Sequence, residues 1–147
     1  MDDKIVVPIR RVDPDLPLPQ YKTSGAVAFD LSSRVQLTIE ARGIGYAPLN
    51  ICVGTPPGYM FMIAARSSLH KRGLMLGNGV AIGDQDFCGN GDEYKAILYN
   101  ITNSPVTLER GERIVQGMFI PIAKVHWEER ADMGVPDRGG IGSTGRH

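Results

Sequence analysis

The chain has 147 residues, enough for one domain with its own core and no need of a disulfide or structural metal. Hydrophobic residues make up 42% and charged residues 22%, ordinary globular values that exclude a wholly disordered chain. Lys and Arg number 16 against 16 Asp and Glu; this balance argues against a general nucleic-acid binder, which needs a basic surplus, but leaves room for a phosphate site built from a few arginines.

The 18 glycines and 10 prolines punctuate short β-rich runs, the pattern of an all-β sandwich or jelly roll. Period-two or β-branched stretches predict strands over 4–9, 26–31, 35–39, 45–53 and 59–65. One short helix is predicted over 67–72, with Ser67 or Ser68 as its N-cap and Gly73 as its stop. Further strands are predicted over 94–101, 106–108, 113–120 and 124–127, the breakers between them being clusters such as Asn103-Ser104-Pro105 and Glu109-Arg110-Gly111-Glu112. Residues 1–128 read as a single β domain. Residues 129–147 read as a flexible tail, rich in glycine and poor in core residues.

No apolar run approaches the ~18 residues of a membrane span, and the start Met1-Asp2-Asp3-Lys4 lacks the features of a signal peptide. Cys52 and Cys88 form no CxxC pair and read as reduced thiols. The expectation is a soluble cytoplasmic protein with neither membrane nor nucleic-acid partners.

Three stretches carry chemistry. Arg66-Ser67-Ser68 at the head of the predicted helix offers a guanidinium, hydroxyls and unpaired N–H groups, a set suited to an anion or to an ordinary capped helix. Asp84-Gln85-Asp86 places two carboxylates on one side of extended chain, where one is suited to positioning a water as general base; the same residues also suit a polar turn. The glycine-rich tail can bring backbone N–H groups against an anion, with Arg, Ser and Thr adding donors. His70, His126 and His147 are scattered and match no transition-metal ligand set.

In their order along the chain these stretches resemble the five motifs of the trimeric dUTPase family. The first is Gly25-Ala26-Val27-Ala28-Phe29-Asp30-Leu31 and the second is Ala65-Arg66-Ser67-Ser68-Leu69. The third runs from Gly79 to Gly89, the fourth is Arg110-Gly111-Glu112-Arg113-Ile114-Val115-Gln116, and the fifth is the tail at 138–145. The resemblance implies a jelly-roll homotrimer with active sites at subunit junctions, hydrolysing dUTP to dUMP and pyrophosphate. It implies Mg²⁺ bound through the substrate phosphates, with no protein metal ligands.

Residue by residue, the resemblance makes Asp84 the group that activates the attacking water. Arg66, Ser67, Ser68, Gln116, Arg138, Ser143 and Thr144 become phosphate binders. Asn78, Ile82, Gly83 and Lys95 surround the uracil, Phe87 packs under the deoxyribose, Ile141 takes the place of the tail residue that stacks on the base, and Asp30 organises the site. The tail is expected to close over the bound nucleotide. The chain departs from the family pattern at Gly83, where an isoleucine is usual, at Phe87 (usually tyrosine) and at Ile141 (usually phenylalanine). It also departs in a shortened tail motif after Arg138 and in an apparent insertion at Asn90-Gly91-Asp92. Two alternatives stay open: a dCTP deaminase of the same superfamily, which would want a glutamate in the strand containing Ala96-Ile97-Leu98-Tyr99-Asn100, and a non-enzymatic nucleotide-binding paralogue.

Overall fold

The computed structural model describes residues 4–142, 144 and 145. Among them are eleven strands and one short 3₁₀ turn. In chain order the strands are β1 (Ile9–Arg11), β2 (Phe29–Ser32), β3 (Leu37–Ile39), β4 (Ile44–Pro48), β5 (Ile51–Val53), β6 (Tyr59–Ala65), β7 (Leu74–Leu76), β8 (Ala81–Gly83), β9 (Lys95–Asn100), β10 (Val106–Leu108) and β11 (Arg113–Pro121). They pair antiparallel into four small sheets, with orders β2-β11-β6-β8, β4-β9-β7, β1-β5 and β10-β3. This is the all-β jelly-roll class expected from the sequence.

Alternation decides which side chains fill the interior. β6 buries Phe61 and Ile63 and turns Met60, Met62 and Ala64 outward; β9 buries Ala96, Leu98 and Asn100 and turns Lys95, Ile97 and Tyr99 outward. Phe61 lies at the centre, stacked with Phe29 at 6.1 Å and Phe119 at 5.0 Å. Gly117 makes room for that stack, because a β-carbon there would sit 2.8 Å from both Phe29 and Phe61. The buried Asn100 amide donates to the carbonyls of Ile39 and Ser104, so its polar group is satisfied inside the core.

Several local expectations are corrected. The stretch 45–53 is two strands, because Pro48 has no N–H for the ladder and Asn50 sits at φ 72. Asn50 is held there by its N–H to Glu93 and by a two-way clamp between its side-chain amide and the Asp13 backbone. The helix over 67–72 is a single 3₁₀ turn, Leu69–Arg72, with no side-chain cap bond from Ser68; Gly73 ends it at φ 73, as expected. The first strand is Ile9–Arg11, not 4–9. The alternation at 124–127 forms no strand. The folded body ends at Ile122, whose N–H is held by the Gly58 carbonyl at 2.9 Å. Residues 123–142 are all exposed, Trp127 at 92%.

Candidate active site

The first cluster lies at one end of the β2-β11-β6-β8 sheet. Asp30 on β2 pairs with Gln116 on β11 and Gln116 pairs with Ala64 on β6, so all three face the same side of the sheet. Arg66 leaves the end of β6 beside them. Its Nε donates to Asp30 Oδ1 at 3.1 Å and its Nη1 to the Arg113 carbonyl at 3.2 Å. Arg113 Nη1 donates to the other Asp30 oxygen, also at 3.2 Å. The Gln116 amide donates to the Ala65 carbonyl at 3.0 Å, immediately before Arg66.

Asp30 is therefore a mostly buried carboxylate that holds two guanidinium groups in fixed positions, its side chain 16% exposed. Arg66 spends Nε and Nη1 on this framework and keeps Nη2 without a partner among the described residues. A guanidinium oriented in this way is suited to a phosphate oxygen. Ser67 is exposed and Ser68 half-buried in the turn that follows. With one 3₁₀ turn in place of a helix, what this corner offers an anion is Arg66, the hydroxyls and local N–H groups, not a helix macrodipole.

Arg113 is a participant that period-two reading missed. Residues 113 and 116 fall on opposite faces of a regular strand. The register of β11 against β2 slips between Arg113 and Val115, so Arg113 faces Ser32 while Gln116 faces Asp30. Ile114 and Val115 are both buried at that bulge. The extra residue carries Arg113 to the side of Gln116, the kind of re-aiming that β-bulges accomplish.

The second cluster is the segment from β7 to β9. Gly77 N–H bonds the Ile97 carbonyl at 2.8 Å, which brings the exposed Asn78 turn level with the start of β9 and Lys95. β8 then runs along β6, with Ile82 exposed at 65% and Gly83 buried opposite Phe61. Asp84 is exposed at its end, and the Phe87 N–H donates to the Asp84 carbonyl at 3.3 Å. Gln85 anchors the loop through the Tyr59 carbonyl at 3.1 Å. The Phe87 ring, 36% exposed, rests edge-on against Tyr94. Tyr94 is 6% exposed, and burial pushes its phenol up to about 12.

The two clusters stand apart within one chain. The β6–β8 register sets Gly83 opposite Phe61, so Asp84 is level with Met60, whereas Arg66 follows the far end of the same strand. Six residues at about 3.3 Å each separate those levels by roughly 20 Å. In the tail, Arg138, Ile141 and Thr144 are exposed and meet neither cluster, and Ser143 lies outside the described residues.

With this geometry in view, comparison with known proteins is direct. The sequence pattern of the dUTPase family matches residues 15–145, and the chain belongs to that family. A deoxyuridine 5'-triphosphate nucleotidohydrolase of Dictyoglomus turgidum is 37% identical over 148 aligned positions, covering 96% of this chain and 99% of the relative. The crystal structure of a dUTPase from Streptococcus mutans superposes with TM-score 0.74 at 30% identity, covering 81% of this chain and 98% of that one. A dUTPase of Staphylococcus bacteriophage 80alpha, solved with dUpNHpp, has TM-score 0.85 at 14% identity over 97% of this chain and all of its own, a likeness of fold.

Proposed function

We propose that this protein hydrolyses dUTP to dUMP and pyrophosphate. The observation that carries the reading is family membership across nearly the whole chain, joined to a pre-ordered Asp30–Arg66–Gln116 cluster and a separate Asp84–Phe87 hairpin. Asp84 takes a proton from a water that attacks the α-phosphorus in line. The bond from that phosphorus to the oxygen bridging to the β-phosphorus breaks, and pyrophosphate leaves with the electron pair. Arg66, Ser67, Ser68 and Gln116 receive the developing negative charge, with Asp30 holding Arg66 in place. Asn78, Ile82, Gly83 and Lys95 surround the uracil, and Phe87 lies under the deoxyribose.

The roughly 20 Å between Asp84 and Arg66 supports sites shared between subunits, because both groups must reach the same triphosphate. A closed homotrimer, in which each subunit presents two different surfaces, meets this requirement. The outward side of the β2-β11-β6-β8 sheet suits such an interface: beyond Asp30 and Gln116 it carries Met62, Met118, Ile82 and Ile120. The tail at 137–147 then closes over the nucleotide, with Arg138, Ser143 and Thr144 on the phosphates and Ile141 by the base.

Among the described residues, no three His, Cys, Asp or Glu side chains gather as a metal cage. In this reading a Mg²⁺ arrives with the nucleotide, held through its phosphates. Bound to the phosphates, the ion supplies neutralising charge. No helix among the described residues is long and apolar enough to cross a membrane, and the nucleotide substrate is consistent with a place in the cytoplasm. The deaminase alternative lacks its carboxylate, since β9 presents Lys95, Ile97 and Tyr99 outward and buries Ala96, Leu98 and Asn100.

The test is to incubate the protein with dUTP and, separately, dCTP in the presence of Mg²⁺, following pyrophosphate and ammonia. Pyrophosphate from dUTP without ammonia from dCTP is expected, with Asp84→Asn slower by at least ~10²-fold. Ammonia release, or binding without turnover, would overturn the reading.

A further inference from the structure

Tyr94 occupies a place in this structure that neither its sequence position nor its hydroxyl explains. Its backbone is pinned on both sides: its N–H donates to the Ile51 carbonyl at 3.0 Å and its carbonyl accepts from Leu49 at 2.9 Å. Its ring meets two others edge-on, the fully buried Phe61 at 4.8 Å and 83° and the half-exposed Phe87 at 5.0 Å and 84°. Phe61 belongs to the core, so Tyr94 links the rigid interior to a ring at the rim of the candidate site.

That placement depends on Gly83. A β-carbon on residue 83 would lie against the Tyr94 hydroxyl, with Cε1 and Cζ at 2.9 Å. The Tyr94 ring thus fills the space a side chain at position 83 would take, and the glycine is there for room, not for an unusual φ. The Tyr94 hydroxyl and the Thr55 hydroxyl are both buried without a hydrogen-bond partner. A polar group buried unpaired is a cost, so the position is held for the shape of its side chain rather than for a polar contact.

We propose that Tyr94 is a positioning residue for sugar selection: seated over Gly83 and anchored on Phe61, it fixes the tilt of the Phe87 ring and thereby the gap beneath the deoxyribose that rejects a 2′-hydroxyl. Phe87 is 36% exposed, and its recorded ring contact is Tyr94. The loop around it is held by bonds to its backbone and polar groups, such as the Phe87 N–H on the Asp84 carbonyl, Gln85 on the Tyr59 carbonyl and the Gly89 N–H on Asp92, and none of these orients the Phe87 ring. A half-exposed ring without its edge partner samples several orientations, and a gap defined by such a ring discriminates poorly. The proposal rests on the reading of Phe87 as the sugar platform.

The experiment measures kcat and KM for dUTP and UTP in wild type, Tyr94→Phe, Tyr94→Leu, Gly83→Ala and Phe87→Ala. Tyr94→Phe keeps the ring and is expected to retain the wild-type ratio of specificity constants. Tyr94→Leu is expected to lower that ratio about tenfold, mainly by admitting UTP, with kcat for dUTP changed much less. Gly83→Ala displaces the same ring from the other side and lowers the ratio in the same direction, which keeps the test intact if Tyr94→Leu does not fold. If Tyr94→Leu and Gly83→Ala keep the wild-type ratio while Phe87→Ala lowers it, the proposal is wrong and the platform reading survives. If Phe87→Ala itself keeps the ratio, the platform reading fails and the proposal falls with it.

Discussion

Mixing two inactive variants gives a sharp test of a site shared between chains. Arg66→Gln removes the phosphate-facing guanidinium while keeping an amide that can still bond Asp30; Asp84→Asn removes the proton acceptor while keeping its shape. The register of β8 on β6 puts the two positions about six residues apart along β6, or roughly 20 Å. A base bonded to the water that attacks the α-phosphorus and a guanidinium bonded to an oxygen of the same triphosphate must lie much closer together than that, so a single chain cannot supply both to one site. Each variant alone should be nearly inactive. In a trimer assembled at random from equal amounts, a junction has an intact Arg66 on one side half the time and an intact Asp84 on the other half the time. About a quarter of junctions are then wild type, and pyrophosphate release from dUTP should recover to about a quarter of the wild-type rate per chain. Mixing is verified by native mass spectrometry with one variant carrying a mass tag. Verified mixed trimers with no more activity than their parents would refute the reasoning.

Three further outcomes are expected. Asp30→Asn turns one of the two acceptor oxygens into an NH₂ group facing an arginine donor, so Arg66 or Arg113 loses its partner; kcat/KM for dUTP should fall by about 10-fold or more and stability by about 1–2 kcal/mol, and steady-state kinetics with urea unfolding would show otherwise if both stayed unchanged. Deleting residues 137–147 should leave the melting temperature nearly unaltered, since the described residues of that segment are exposed, yet cut turnover at least ~10-fold; full turnover in the truncated protein would end the lid reading. Tyr94 holds its proton up to about pH 12 when folded and to about pH 10 when unfolded, so its contribution is intact below pH 10 and declines as pH rises to 12, by up to about 3 kcal/mol. Tyr94→Phe lacks that loss, so its urea midpoint should gain on wild type across this window; parallel curves would count against the buried phenol.

The sequence by itself was sufficient for the class of the fold and for naming the candidate site residues. Alternation in 59–65 and 113–120 marks β6 and β11 because both strands face a core on one side, and burial on one face leaves a period-two trace. Asp30, Arg66, Asp84 and Gln116 stand out through motif order, which chain chemistry records directly. β7 and β8 went unread: each is three residues long beside Gly77 or Gly79, too short for a period to emerge. The alternation at 124–127 misled in the opposite sense, since a strand needs a partner ladder and none lies beside it among the described residues. Arg113 was hidden by one extra residue, because a bulge reverses which face a side chain takes without altering composition. Only the tertiary structure showed why residue 83 is glycine, because its reason is the Tyr94 ring, eleven residues on along the chain and brought back by the pairing of the strands. The same pairing sets Asp84 and Arg66 at opposite ends of β6: distances between elements come from register, which is a property of two strands together and is written in neither one alone.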